Sequence, residues 1–405
     1  MDKRERRFFG FGKDGKNIFI AGLVSFFMDI SSEMIYPLVP LFLANVLGVN
    51  KTTIGLIEGI AESTASLLKV FSGWFSDRLG NRKWFMAAGY SISTLSRPIV
   101  ALATGWHHVM AFRFMDRFGK GIRTAPRDAI IAESADIAYL GRAFSFHRSA
   151  DTMGAVIGPA IAFSLLVILS NNYRSIFWLS MIPGVIAVFL IIFFIREKKK
   201  FSTDHSSEKP KLTWKHFDWR FKFFVLIAGI FAIGNSSDVF LILRAQQTGV
   251  PTAMIPVIYL LFNLIYSISS IPAGIMADRF GKKRVIFWGF VLFALLYYGF
   301  GVTSDQRIIW LLFGLYGLFM GLTEGIQKAF LAAIIPSDFK ATAFGVYNAA
   351  VGLAMFPASL FGGWLWDNIS PSATFYFGAT TAILSAMLFI VFIRAIRRSS
   401  LPATR

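Results

Sequence analysis

Two stretches decide the fold: Gly73-Trp-Phe-Ser-Asp77-Arg78-Leu-Gly80-Asn-Arg82-Lys83 and Gly274-Ile-Met-Ala-Asp278-Arg279-Phe-Gly281-Lys-Lys283-Arg284. Each reads as a glycine, an acid followed by a base, a second glycine and a pair of cations, set between long apolar segments. Gly80 and Gly281 suit a tight turn with positive φ. Gly73 and Gly274 would let neighbouring helices approach closely. Asp77 and Asp278 fall at helix ends, where a carboxylate meets a helix N-terminus or an arginine. The closing cations suit a cytoplasmic face with anionic headgroups.

Outward from these turns the chain is unusually apolar. Hydrophobic residues make up 55% of its 405 positions and charged residues 16%, where a soluble domain carries about 25% charged residues. Mean hydropathy is +0.58. So apolar a chain neither stays disordered in water nor divides into ordinary soluble domains. There is no cysteine, so disulfides, thiolate metal sites and cysteine nucleophiles are excluded. His107, His108, His147, His205 and His216 have no metal-site spacing. Neither a metal nor a cofactor is expected. The net charge of +18 reads as basic cytoplasmic loops rather than a nucleic-acid surface, because the cations scatter over several short segments.

A membrane-crossing helix needs about 20 mostly apolar residues. Twelve candidate spans are centred near Ser25, Ala61, Tyr90, Phe118, Val156, Val185, Phe231, Leu261, Val291, Leu318, Leu353 and Ile383. The polar stretch 196–218, which contains Pro210, divides them six and six. The expected organisation is a first six-helix bundle over 1–195, a cytoplasmic linker over 196–218, and a second bundle with a short tail over 219–405. Basic residues at the N-terminus, at Arg78–Lys83, around Arg142, in the linker, at Arg279–Arg284 and at Arg394–Arg398 put both termini in the cytoplasm. The first span is too long for a cleaved signal peptide. A multi-pass, monomeric protein of the cytoplasmic (inner) membrane of a bacterium is the expectation.

The halves repeat each other beyond the two turns. Ser31-Ser32-Glu33 is echoed by Ser236-Ser237-Asp238 in the first span of each half. Arg142-Ala-Phe-Ser-Phe-His147-Arg148 is echoed by Thr342-Ala-Phe-Gly-Val-Tyr347-Asn348 in the fifth. Three echoes in one order identify a duplicated six-helix unit, and they align Arg117 with Gly321 and Arg148 with Asn348.

With both copies of the Gly-x-x-x-Asp-Arg-x-Gly-x-basic-basic turn at equivalent places, the whole chain resembles the major facilitator superfamily. The resemblance implies an all-α integral membrane fold: twelve transmembrane helices in two pseudo-symmetric six-helix bundles around a central cavity that opens alternately to either side. It also implies that the first turn (Gly73, Asp77, Arg78, Gly80, Arg82, Lys83), with its echo (Gly274, Asp278, Arg279, Gly281), latches the halves on the cytoplasmic side. Gly154-Ala-Val-Ile-Gly158-Pro159 is similar to the kink motif of the superfamily's exporters, although Ala160, Ile161 and Ala162 replace the glycines that usually follow. A small-residue packing seam explains the same stretch equally well. The family's fourth-span Arg-x-x-Gln-Gly is only approximated by Arg117-Phe-Gly-Lys120-Gly121.

Ionisable side chains inside spans are costly and by default mark a working site. The first span carries Asp29 and Glu33, with Tyr36 a turn further, and the second carries Glu58, Glu62 and Lys69. In the fourth, Arg113, Asp116, Arg117, Lys120, Arg123 and Arg127 share about 120° of helical arc. The fifth adds His147, Arg148 and Asp151, and the third has Arg97 before Pro98. Asp29, Glu33, Glu58, Glu62 and Asp151 are candidate proton carriers. Arg113, Arg117 and Arg148 are suited to neutralise them or to hold an anionic substrate group. The C-terminal half is sparser, with Asp238 as its candidate substrate or proton residue, and is expected to add shape and hydrogen bonds through Asn235, Asn263, Tyr347 and Asn348. Structural ion pairs are the competing explanation for half of these residues, Arg123, Arg127 and Asp128 among them.

No Gly-x-x-x-x-Gly-Lys-Ser/Thr is present, so ATP does not drive the protein directly. No nucleophile–base pair lies within a span, so an enzyme is not expected. The leading expectation is a proton-coupled secondary active transporter of a small organic molecule, with export slightly favoured. Uptake of an organic anion and export of a metal ion or metal chelate are the alternatives. Substrate, protons and lipid are then the partners, and nucleic acid is not.

Overall fold

A computed structural model describes residues 15–79, 81–135, 140–197, 217–335 and 340–399. Among these the regular structure is helical. In chain order the helices are α1 (Gly15–Glu33), α2 (Val39–Leu41), α3 (Lys51–Leu79), α4 (Arg82–Leu95), α5 (Arg97–Ala101), α6 (Trp106–Ser134), α7 (Leu140–Ile168), α8 (Tyr173–Leu179) and α9 (Met181–Phe194). After the linker come α10 (Trp219–Gly234), α11 (Val239–Gln247), α12 (Ile255–Phe280), α13 (Lys282–Val302), α14 (Gln306–Ile334), α15 (Lys340–Asn368) and α16 (Pro371–Ser399).

Each of the twelve expected span centres falls within a helix, but the count of twelve crossings is not reproduced. Among the described residues, eight helical stretches are long and apolar enough to cross a membrane, running from Ala143–Ile168 to Pro371–Ile396. The expected first four spans are not among them. Their helices either carry the charges, as α3 and α6 do, or are short, as α4 and α5 are, with 14 and 5 residues. The charges that make these segments interesting also lower their hydropathy.

The breaks have local causes. α1 stops at Glu33 just ahead of Pro37 and Pro40, and α4 gives way to α5 at Arg97, whose successor Pro98 disfavours a continuous helix there. In the second half, α10 ends at Gly234 and α11 begins at Val239. Both Ser-Ser-acid echoes therefore sit where a helix is interrupted, and interrupted helices free backbone groups inside a bilayer for ligands or ions. Gly281 has φ +92°, the left-handed turn expected of it. Gly80 lies outside the described residues, as do the side-chain surroundings of Gly73, Asp77 and Arg78.

The chain forms two compact units. Unit 1 comprises Met1–Asn50, Ile60–Phe201 and Val250–Asn263, and unit 2 comprises Lys51–Gly59, Ser202–Gly249 and Leu264–Arg405. In unit 1, α1 packs on α7 and α9, and α4 packs on α6. In unit 2, α13 packs on α14 and α16, and α10 on α15 and α16. The α1–α7 contact is close. A Cβ added at Gly154 would meet the Phe26 carbonyl oxygen at 2.5 Å and the Asp29 Cβ at 2.8 Å; one at Gly158 would meet the Glu33 Cβ at 2.8 Å. Both glycines of the Gly154–Pro159 stretch thus carry the acidic edge of α1 on α7.

The internal repeat is visible in packing. Gly121 of α6 faces Leu68 and Ala65 of α3, whereas Gly321 of α14 faces Ser269 and Tyr266 of α12. Gly121 is therefore the counterpart of Gly321. Arg117 matches Gly317, a correction of four residues to the alignment expected from sequence alone; identical apolar periodicity lets one turn slip unnoticed.

Candidate functional site

α1, α5 and α6 of unit 1 enclose a small cavity of about 30 Å³. Asp29, Ser32 and Glu33 line it from α1, and Tyr36 from the turn that follows. Arg97 lines it from α5, and Arg113, Asp116, Arg117, Lys120 and Arg123 from α6. The helical spacing of the α6 charges brings five of the six to one wall. Arg127 departs: its guanidinium pairs with the adjacent Asp128 at 2.9 Å.

The cavity is held by interlocking ion pairs. Arg97, only 1% exposed, places Nη2 3.3 Å from Asp116 Oδ1. The same nitrogen donates to the Ser32 hydroxyl at 3.0 Å, tying α5 to α1. Sequence reading named Arg97 but gave it no role; its position before a proline inside an apolar span was the available signal. Arg113 and Arg117 share one oxygen of Glu62, with Nη2 distances of 3.9 and 3.0 Å. Both guanidiniums also stand over the Tyr36 ring, at 5.4 and 5.9 Å from its centroid. Such stacking suits the flat, weakly hydrated guanidinium. Arg123 donates to the Ser93 hydroxyl at 2.7 Å and lies 4.4 Å from the Tyr90 ring centroid, so its nearest partners are neutral.

A second cluster adjoins the seam between α1 and α7. The Asp29 and Asp151 carboxyl groups adjoin each other, one from each helix. Arg148 reaches Asp151 at 3.5 Å, but its side chain is 60% exposed. It is not the buried arginine that sequence reading supposed. His147 is buried, with Nε2 2.6 Å from the Ser25 hydroxyl. Glu58 is buried on the part of α3 that belongs to unit 2 and does not line the unit 1 cavity.

Unit 2 holds a larger pocket of about 200 Å³ with a different lining. Phe231 and Phe319 give it apolar walls, and Asn235, Tyr347 and Asn348 line it as well. Tyr347 donates to Gln327 Oε1 at 2.9 Å. Glu324 accepts from the Tyr266 hydroxyl and pairs with Lys328 at 2.9 Å. Asp238 accepts from the Tyr316 hydroxyl at 2.8 Å. Asn263 is elsewhere, donating to the Ala155 carbonyl in unit 1 at 3.4 Å. Sequence reading passed over Tyr266 and Tyr316, whose acidic partners are 58 and 78 positions away. An acid alone in an apolar span was the only hint.

Two further charges are structural. Arg244 is 7% exposed and donates to the carbonyls of Phe300, Gly301 and Thr303, closing the C-terminal end of α13. At the first signature turn, Glu197 accepts from the Arg82 and Lys83 backbone N–H groups, each at 2.8 Å, and so caps α4. The Arg82 side chain pairs with Glu133 at 2.7 Å. In the second turn Asp278 is largely exposed and pairs with Lys282 at 3.5 Å.

Comparison with known proteins agrees with this architecture. The family model of the Major Facilitator Superfamily matches residues 21–244 and 223–404. An uncharacterized MFS-type transporter of Methanocaldococcus jannaschii is 36% identical over 381 residues, covering 93% of this chain and 94% of its own. The proton-coupled antiporter flippase LtaA of Staphylococcus saprophyticus is 23% identical over 391 residues, covering 93% of this chain and 94% of that protein. The crystal structure of the nucleoside transporter NupG superposes with a TM-score of 0.76 at 14% identity, covering 93% of this chain and 99% of that one. With signature turns in both halves, an interrupted helix at each Ser-Ser-acid echo and a family match over nearly its whole length, the chain belongs to the Major Facilitator Superfamily and is a membrane transporter rather than an enzyme.

Proposed function

We propose that the protein is a proton-coupled secondary active transporter, moving a small organic molecule across the cytoplasmic membrane by alternating access. Both termini are then cytoplasmic, and the moving parts are the halves 1–195 and 219–405 joined by the linker 196–218. The observation that carries proton coupling is the placement of the Asp29 and Asp151 carboxyl groups side by side. Two carboxylates side by side repel each other, and a proton held between them relieves that repulsion. This pair joins α1 to α7 at the glycine seam, so a shift of either helix changes how well that proton is held. The proton-coupled relative LtaA supports the same reading. Export is the direction favoured by resemblance at Gly154–Pro159, although close packing on α1 gives those glycines a structural reason of their own.

The test is purified protein in liposomes with an imposed pH gradient, offered a mixed small-molecule library. Mass spectrometry of both compartments reads substrate and direction together. Wild type should accumulate at least one compound against its gradient. Asp29→Asn should lose that accumulation while keeping exchange at equal pH. Uphill transport by Asp29→Asn and Asp151→Asn with unchanged pH dependence would remove these carboxyls from coupling.

A further inference from the structure

We propose that the unit 1 cavity walled by Arg97, Arg113 and Arg117 is the seat of an anionic group, a carboxylate or a phosphate, on the transported molecule. This rests on the transport reading above and names its substrate class. Three observations carry it, and the first is charge. Five cationic side chains line the cavity against three carboxylates, Asp29, Glu33 and Asp116. Glu62, bound to Arg117 from the side, brings a fourth. Asp151, which adjoins Asp29, has Arg148 as its own counter-charge at 3.5 Å, so one positive charge is in excess with every carboxyl ionised, and each proton bound to a carboxyl raises the excess. A buried excess of charge is costly unless a counter-charge joins it.

The second observation is an unanswered donor. Arg97 is 1% exposed, yet its Nε–H has no acceptor among the described protein groups. A buried donor left in that state costs free energy that an incoming oxygen recovers. Its Nη2 is already committed to Asp116 and Ser32, so the guanidinium is fixed in orientation before a ligand arrives.

Geometry is the third. Arg113 and Arg117 converge from successive turns of α6 on one carboxylate oxygen of Glu62. The side chains are thus arranged for a planar oxyanion, which forked guanidinium donors recognise well. The cavity's 30 Å³ holds roughly two water-sized groups, which suits a carboxylate head with the remainder of the molecule outside it.

The experiment is thermal unfolding of the purified full-length protein in detergent, at constant ionic strength. The probes are succinate, inorganic phosphate and, as the uncharged counterpart of succinate, 1,4-butanediol. Near saturation, succinate or phosphate should raise the melting temperature by about 2–4 °C, whereas butanediol should not. Arg113→Gln should lose this response. Glu62→Gln, which releases both arginines from their internal carboxylate, should keep or enlarge it. The proposal is overturned if neither anion stabilises wild type, or if folded Arg113→Gln responds as wild type does. Binding in detergent needs no gradient, so this result stands apart from the liposome test of coupling.

Discussion

The two units answer one architectural problem with different chemistry. α6 and α14 are counterparts, each 29 residues long. α6 presents Arg113, Asp116, Arg117, Lys120 and Arg123 to a cavity, whereas the lining residues on α14 include Phe319, Met320 and Thr323 beside Glu324, Gln327 and Lys328. His147 and Arg148 on α7 correspond to Tyr347 and Asn348 on α15. Unit 1 thus fixes its helices by buried ion pairs. Unit 2 relies on ring contacts, such as Phe293 to Tyr297 at 3.9 Å and Phe231 to Phe293 at 4.7 Å between centroids. Ion pairs in a dry interior fail badly when one member is lost, while ring packing degrades by degrees. Duplicated scaffolds need similar packing, so a chemical difference this large fits the division of labour we propose: ions in unit 1, shape and hydrogen bonds in unit 2.

That contrast can be broken at its strongest point. Asp116→Asn leaves Arg97 buried without its counter-charge and should destabilise by about 3–5 kcal/mol in detergent unfolding. Replacing both members together, as Arg97→Met with Asp116→Leu, should recover most of the loss. If Asp116→Asn unfolds at the wild-type temperature, the pair is not what holds α5 to α6.

A smaller effect is expected at the helix seam. Gly158→Val forces a side chain against the Glu33 Cβ, 2.8 Å from the new Cβ, and the Ile30 carbonyl oxygen, at 3.0 Å. Overpacking of this kind costs about 1–3 kcal/mol. Because α1 must move to relieve it, gradient-driven transport should fall by more than stability alone explains. Transport in proportion to folded protein would instead make the seam a passive contact.

The smallest effect belongs to unit 2. Lys328 pairs with Glu324 on one helix face, and its side chain is 51% exposed. Lys328→Met should therefore change stability by no more than about 0.5 kcal/mol. A loss approaching that of Asp116→Asn would erase the distinction between the units.

Much of this arrangement is legible in the sequence. The spacing of residues 113, 116, 117, 120 and 123 on a helix put these charges on one face, and the structure brings them to one cavity. The turn glycine at position 281 announced its positive φ. Other features were hidden for physical reasons. Periodicity says which face a residue shares, not whether that face is covered, so Arg148 was counted as buried. A tertiary partner leaves no local trace either: Tyr266 looks like any aromatic residue of an apolar span until α14 brings Glu324 to it. Asn263 lies near the limit of unit 1, and its placement depends on packing along α12 that spacing does not encode.

The assignment of the transport proton to Asp29 and Asp151 is open to direct spectroscopic test. Infrared spectra of the purified protein at neutral pH should contain the C=O stretch of a protonated carboxyl group, shifting on deuteration. Asp29→Asn and Asp151→Asn should each remove that same band, because either substitution takes away one of the two carboxyls whose repulsion holds the proton. If the band is missing from wild type, or persists unchanged in both variants, the proton is not held between these residues and the ionic role given to unit 1 is wrong.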